Sequence, residues 1–227
     1  MNRVLALVEG QTEETFVRDL LAPHLLEFGI VMRVFLAKRR GEGGVPKWDA
    51  FKPDLLKLLK QDRTAYVTTM IDFYGMPEDW PGHEQARNMK YPVKVEHVEA
   101  QIKRVISSAL PEKLNPQRLV PYVQCHEFEA LLFSDPNAVE SYLAQCGLAK
   151  EMESIRSSCG SPEEINDGPL TAPSKRLAGI VADYSKVHTG NALARQIGLQ
   201  TMRRECLHFH GWVSKLESLV KSLDEAK

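Results

Sequence analysis

The sequence has no CxxC pair: its four cysteines, Cys125, Cys146, Cys159 and Cys206, stand far apart. With no secretory signal before Asn2-Arg3, which lead straight into an apolar segment, a reduced, cytoplasmic protein is expected. No apolar run approaches the ~18 residues that a membrane helix needs, so no membrane partner is expected. Internal repeats and low-complexity tracts are missing as well. Charge of one sign is also scarce, since 29 Lys and Arg face 30 Asp and Glu for a net charge of −1. A global basic field is thereby excluded, and any nucleic-acid binding must rest on a local patch or on bound metal.

What is present is ordinary for a globular protein: 227 residues, 43% hydrophobic and 26% charged, enough for a real core. The chemistry begins at Val4-Leu5-Ala6-Leu7-Val8-Glu9-Gly10, an apolar run too short for a helix that ends on an acid. Thr12 then opens a segment with apolar residues at Phe16, Val17, Leu20 and Leu21, the spacing of a helix over 12–28 with Thr12 as N-cap. Strand, tight turn and helix together place Glu9 at the carboxyl end of a parallel strand, where open α/β sheets keep their ligands. Glu13 falls in the first helical turn. The helix dipole favours an acid there, and Glu9 four positions back makes a shared site an equal alternative.

The pattern recurs. Gly29 closes the helix, Ile30–Leu36 reads as a second strand, and Lys38-Arg39-Arg40-Gly41-Glu42-Gly43-Gly44 follows as a basic, glycine-rich loop. Lys38, Arg39 and Arg40 suit phosphate binding, and a solvated turn is the plainer reading. A short helix over 49–60 precedes the β-rich run Ala65–Gly75, which delivers Asp72. After an irregular stretch over 76–92 and a helix over 93–109, a fourth strand at Leu119–Cys125 runs into His126-Glu127-Phe128-Glu129. Neighbours two apart share a face only in a strand and diverge in a helix, so the choice between Glu127 and Glu129 stays open. His126 reads as a packed histidine or as a substrate contact. Beyond Asp135-Pro136 the chain reads as short helices, with Ser174 as a cap beside the cations Lys175 and Arg176.

The expected fold is α/β, a mostly parallel sheet flanked by helices over residues 1–135, with a helical elaboration over 136–227. Glu9, Glu13, Asp72 and Glu127 or Glu129 are hard oxygen donors, a set that suits Mg²⁺ or Mn²⁺ completed by water and phosphate. Such ions act on phosphodiesters by activating water and stabilising the attacking and leaving oxygens. A cation such as Lys175 would offset charge developing on the phosphate.

Val8-Glu9-Gly10-Gln11-Thr12-Glu13, followed by an acid after the third strand, resembles the Toprim fold of topoisomerases, primases and the OLD-family nucleases of phage defence. With His126-Glu127-Phe128-Glu129-Ala130-Leu131-Leu132-Phe133 and Ala172-Pro173-Ser174-Lys175-Arg176, the set resembles a bacterial Toprim-like family often encoded beside ATPases. The resemblance implies a metal-dependent nuclease acting on DNA or RNA, with Glu9 and Asp72 as catalytic metal ligands and Glu13 as a second acidic ligand. It further implies Lys175 near the scissile phosphate; Arg176 and His126 are expected in substrate binding. The partners expected are nucleic acid, an ATPase and a second copy of the chain. The second position of the family's Asp-x-Asp is Tyr74, which does not replace a carboxylate as a Mg²⁺ ligand; Glu127 or Glu129 would then supply the missing charge. The alternative is a non-catalytic binding or regulatory subunit of an ATPase complex that keeps the scaffold.

Overall fold

The computed structural model describes residues 2–38, 44–165, 168 and 171–219, and its contacts divide the chain into two compact units. The first comprises residues 1–123 and the segment from 212 onward; the second comprises residues 124–211.

In the first unit, β1 (Asn2–Val8), β2 (Ile30–Leu36), β3 (Tyr66–Asp72) and β4 (Leu119–Val120) form a sheet in the order β2-β1-β3-β4. The β1–β2, β1–β3 and β3–β4 pairs are all parallel, so this is the helix-flanked parallel α/β sheet that the sequence implies. From Val4 to Val8 every residue of β1 is buried, as the central position of a parallel sheet demands. The apolar run of the sequence thus reflects burial on both faces.

The helix after β1 starts one residue before the expected position. Gly10 is its N-cap, and Thr12 is buried inside the first turn of α1 (Gln11–Phe16), so Thr12 does not cap it. The helix widens to a π turn over Val17–Leu21 and continues as α2 (Ala22–Glu27). Pro23 supplies a cause, because it has no N–H to give and its ring crowds the carbonyl one turn back. Gly29, at φ 72, ends the helix in the left-handed conformation that glycine adopts without strain.

Helix α3 (Trp48–Gln61) follows β2 and runs up to β3. Asp79 caps its start, its Oδ2 accepting the Trp48 N–H at 2.9 Å. Its other end is closed by the buried guanidinium of Arg118, which donates to the carbonyls of Leu59, Asp62 and Ala65 at 2.7–2.9 Å. The stretch 76–92, irregular in sequence, contains the four-residue helix α4 (His83–Ala86) and is anchored by Trp80. The Trp80 indole donates to the Pro46 carbonyl at 2.8 Å and packs on Trp48 and Phe51. Helix α5 (Val93–Ala109) turns Val95, Val98, Ile102 and Ile106 inward. The expected strand Leu119–Cys125 is interrupted at Pro121, which leaves β4 and a second two-residue strand, β5 (Val123–Gln124).

The second unit is helical. A buried 3₁₀ segment, Phe128–Ser134, is surrounded by α6 (Pro136–Leu143), α7 (Leu148–Arg156), α8 (Pro173–Ile180), α9 (Asn191–Ile197) and α10 (Leu199–Glu205). Helix α11 (Leu207–Glu217) starts in this unit, with Glu163, fully buried, accepting the N–H groups of His208 and Phe209 at 3.0 Å each. From Trp212 onward the helix belongs to the first unit, where the Trp212 indole donates to Thr68 Oγ1 at 2.9 Å and stacks on Tyr122 at 4.2 Å. Among the described residues no helix is long and apolar enough to cross a membrane.

Candidate functional site

The first unit brings Glu9 and Asp72 together. Strand register places them so: Val8 pairs with Met70, and Glu9 continues the ladder by donating its own N–H to the Met70 carbonyl at 3.3 Å. At the carboxyl ends of both strands, Glu9 Oε2 accepts the Asp72 N–H at 3.3 Å. Asp72 is 7% exposed and Glu9 half-buried, at the carboxyl edge of adjacent parallel strands. Glu13 follows in the first turn of α1, buried and favoured there by the helix dipole. Tyr74, two residues beyond Asp72, is half-buried. Lys38 at the end of β2 is exposed, its backbone N–H donating to Asp54 Oδ2 at 2.9 Å. Arg39 and Arg40 lie outside the described residues.

Among the described residues no three His, Cys, Asp or Glu side chains form a group able to hold a metal ion. Two acids at the ends of adjacent strands nevertheless match the number that Mg²⁺ takes from proteins, because the ion keeps several waters and binds through one or two carboxylates. Their all-oxygen donors fit Mg²⁺ or Mn²⁺ and disfavour softer metals.

The second unit holds a separate cluster. His126, buried at φ 66, turns the chain sharply, and Glu127 follows in an extended conformation as N-cap of the 3₁₀ segment. Glu129 lies one residue inside that segment, 1% exposed. Glu127 and Glu129 both face one cation. Lys186 Nζ stands 3.2 Å from Glu127 Oε1 and 3.1 Å from Glu129 Oε1. Extended backbone at the first acid and 3₁₀ backbone at the second produce this convergence, which a regular helix would not give.

Glu127 also closes the start of α8. Its Oε2 accepts the Ser174 N–H at 3.0 Å and its Oε1 accepts the Ser174 hydroxyl at 2.9 Å. Ser174 therefore sits inside the helix and Ala172 occupies the N-cap, so Ser174 does not cap α8. Burial pushes the Glu129 carboxyl up, opposed by Lys186 and reinforced by Glu127. Tyr184 donates to Glu129 Oε1 at 3.4 Å, and burial together with that carboxylate raises its phenol well above the ordinary value. Gly190 leaves room for this phenol, since a Cβ there would come within 2.9 Å of the Tyr184 oxygen. Lys175 is exposed, and Arg176 Nε donates to the Thr171 carbonyl at 2.7 Å. Tyr184 and Lys186, which hold the cluster together, carried no motif or periodicity that marks them in the sequence.

The fold and the edge pair together define an α/β protein with a carboxylate pair at the carboxyl edge of a parallel sheet. The chain belongs to the family described as "Domain of unknown function (DUF4276)", whose profile matches residues 8–217. No curated protein matches it. Two solved structures of the C-terminal region of the Xanthomonas campestris pv. campestris OLD protein are similar. The one phased with iodine is 14% identical at a TM-score of 0.45, over 100% of this chain and 99% of the other. The one phased with mercury is 16% identical at 0.48, over 99% and 98%.

Proposed function

We propose that the chain is a Mg²⁺- or Mn²⁺-dependent phosphodiesterase, a Toprim-like nuclease acting on DNA or RNA. The observation that carries this reading is the Glu9–Asp72 pair at the carboxyl edge of β1 and β3. Glu9 and Asp72 would hold the ion through carboxylate oxygens, and Glu13 offers a further carboxylate in the first turn of α1. When bound, such an ion activates water and stabilises the attacking and leaving oxygens of a phosphodiester. The chain's own part is to fix the two carboxylates on rigid strand ends, so that little reorganisation accompanies the reaction. Lys175, exposed on α8, remains the proposed phosphate contact from the sequence, with Arg176 and His126. A role as the effector of a bacterial defence system, working in the cytoplasm with a partner ATPase, rests on the sequence resemblance. Glu9→Ala and Asp72→Ala are expected to abolish Mn²⁺-dependent cleavage of DNA and RNA while leaving the circular dichroism spectrum intact. Cleavage that persisted in both variants would sink the assignment.

Two observations favour a second reading, a non-catalytic subunit of an ATPase complex. Tyr74 stands where the resemblance calls for a carboxylate, and no three-donor group occurs among the described residues. Wild-type protein that binds no Mn²⁺ in a calorimetric titration would select this reading.

A further inference from the structure

We propose that the solvent face of α3 is a track for the phosphodiester backbone of nucleic acid, bound through charge and without sequence preference. The proposal rests on the phosphodiesterase reading for its choice of ligand, and on α3 alone for its geometry. A depression of about 820 Å³ runs along this helix, lined by Lys52, Lys57 and Lys60, with Pro53 and Leu56 between them and Asp49 at its start. Among the described residues none of the three lysines forms an ion pair. The other acid of the helix, Asp54, already accepts the Lys38 N–H. The depression itself is lined by three cations and one acid, a local positive strip on a chain whose net charge is −1, and α3 keeps an excess of one positive charge when Asp54 is counted with Asp49.

The helix dipole accounts for Lys60, in the last turn, but not for Lys52, which lies in the first half of the helix. From Lys52 to Lys60 the axial rise is about 12 Å at ~1.5 Å per residue. That distance matches about three to four steps of one strand of a duplex at ~3.4 Å each. A membrane surface fits less well. Leu56 is half-buried and the strip carries no aromatic side chain, whereas interfacial helices project large apolar residues from the face opposite their lysines. With no aromatic platform for base stacking, binding along the strip is expected to rest on phosphate charge alone.

The test is oligonucleotide binding followed by fluorescence anisotropy as NaCl is raised, in EDTA, so that neither metal nor cleavage enters. Wild-type protein is compared with the triple variant Lys52→Gln, Lys57→Gln, Lys60→Gln, whose helix is checked by circular dichroism. Each lost phosphate contact flattens the slope of log K against log salt by about 0.7–0.9. The triple variant is therefore expected to lose about 2 to 3 from the slope and most of its affinity at low salt. An unchanged slope overturns the track. So does a wild type that binds neither single nor double strands, or that binds anionic phosphatidylserine vesicles and no oligonucleotide. None of these outcomes touches the Glu9 and Asp72 cleavage test, so the two readings fail separately. If the triple variant unfolds, the single variants Lys52→Gln and Lys57→Gln are each expected to flatten the slope by about 0.7–0.9, and an unchanged slope in both overturns the track.

Discussion

Glu9 Oε2 accepts the backbone N–H of Asp72 across the ends of two parallel strands, at 3.3 Å. The same side chain thus has a structural duty and a proposed chemical one, and substitutions can separate them. Glu9→Gln keeps an acceptor for the Asp72 N–H and removes the charge, whereas Glu9→Ala removes both. Glu9→Gln should lie within about 0.5 kcal/mol of wild type in urea unfolding, and Glu9→Ala about 1 kcal/mol or more below it. Equal stability of the two would mean that the hydrogen bond does not matter to the fold.

Arg118 should be a stability residue of the first unit. Its three hydrogen bonds, two of them buried, close the end of α3, and burial lowers its guanidinium from the ordinary arginine value. Arg118→Met fills the space but leaves three carbonyls without their donor. A loss of about 2 to 4 kcal/mol is expected from chemical denaturation, since each such buried group costs about 1 kcal/mol or more. A loss under 1 kcal/mol would show that water replaces the guanidinium.

Trp212 brings the C-terminal helix onto the sheet of the first unit through two separable contacts, the Tyr122 stack and the Thr68 hydrogen bond. Trp212→Phe should retain most of the packing and lose about 1 kcal/mol, whereas Trp212→Ala should lose about 3 to 5 kcal/mol. Similar losses for both would place the energy in the hydrogen bond instead.

Glu129 should make stability fall as pH rises. Burial raises its carboxyl in the folded state above the ordinary glutamate value, so the folded chain holds a proton that the unfolded chain has already released. Its contribution is complete below the unfolded value and is lost as pH climbs through the folded one. Glu129→Gln removes this term, so its stability relative to wild type should improve across the window that begins near pH 4.5. Parallel pH profiles for the two proteins would contradict the raised carboxyl.

The parts of the fold that sequence made legible are those where one local signal decides the conformation. Gly29 ends a helix because only glycine reaches its conformation cheaply, and the apolar runs of β1 and β3 are fully buried because their sheet is parallel. Thr12 misled because a serine or threonine before an apolar face is the usual cap signal, and here backbone geometry gives that place to Gly10. Pro121 split a strand whose apolar pattern runs straight through it. At the candidate site, acids at strand ends pointed to Glu9 and Asp72, whose adjacency follows from strand order. The cluster of the second unit depends on contacts between residues 47 to 59 positions apart, and such distant pairings leave no periodic trace. That is why Lys175, beside a recognisable motif, stood out in sequence while Lys186 and Tyr184 did not.

The central claim, that Glu9 and Asp72 hold a divalent cation, is tested most directly by isothermal titration of Mn²⁺ into wild type, Glu9→Gln and Asp72→Asn. One saturable site is expected in wild type, with a loss of about tenfold or more in affinity in each variant, or ~1.4 kcal/mol per tenfold. Mn²⁺ binding of equal strength in all three proteins would contradict it.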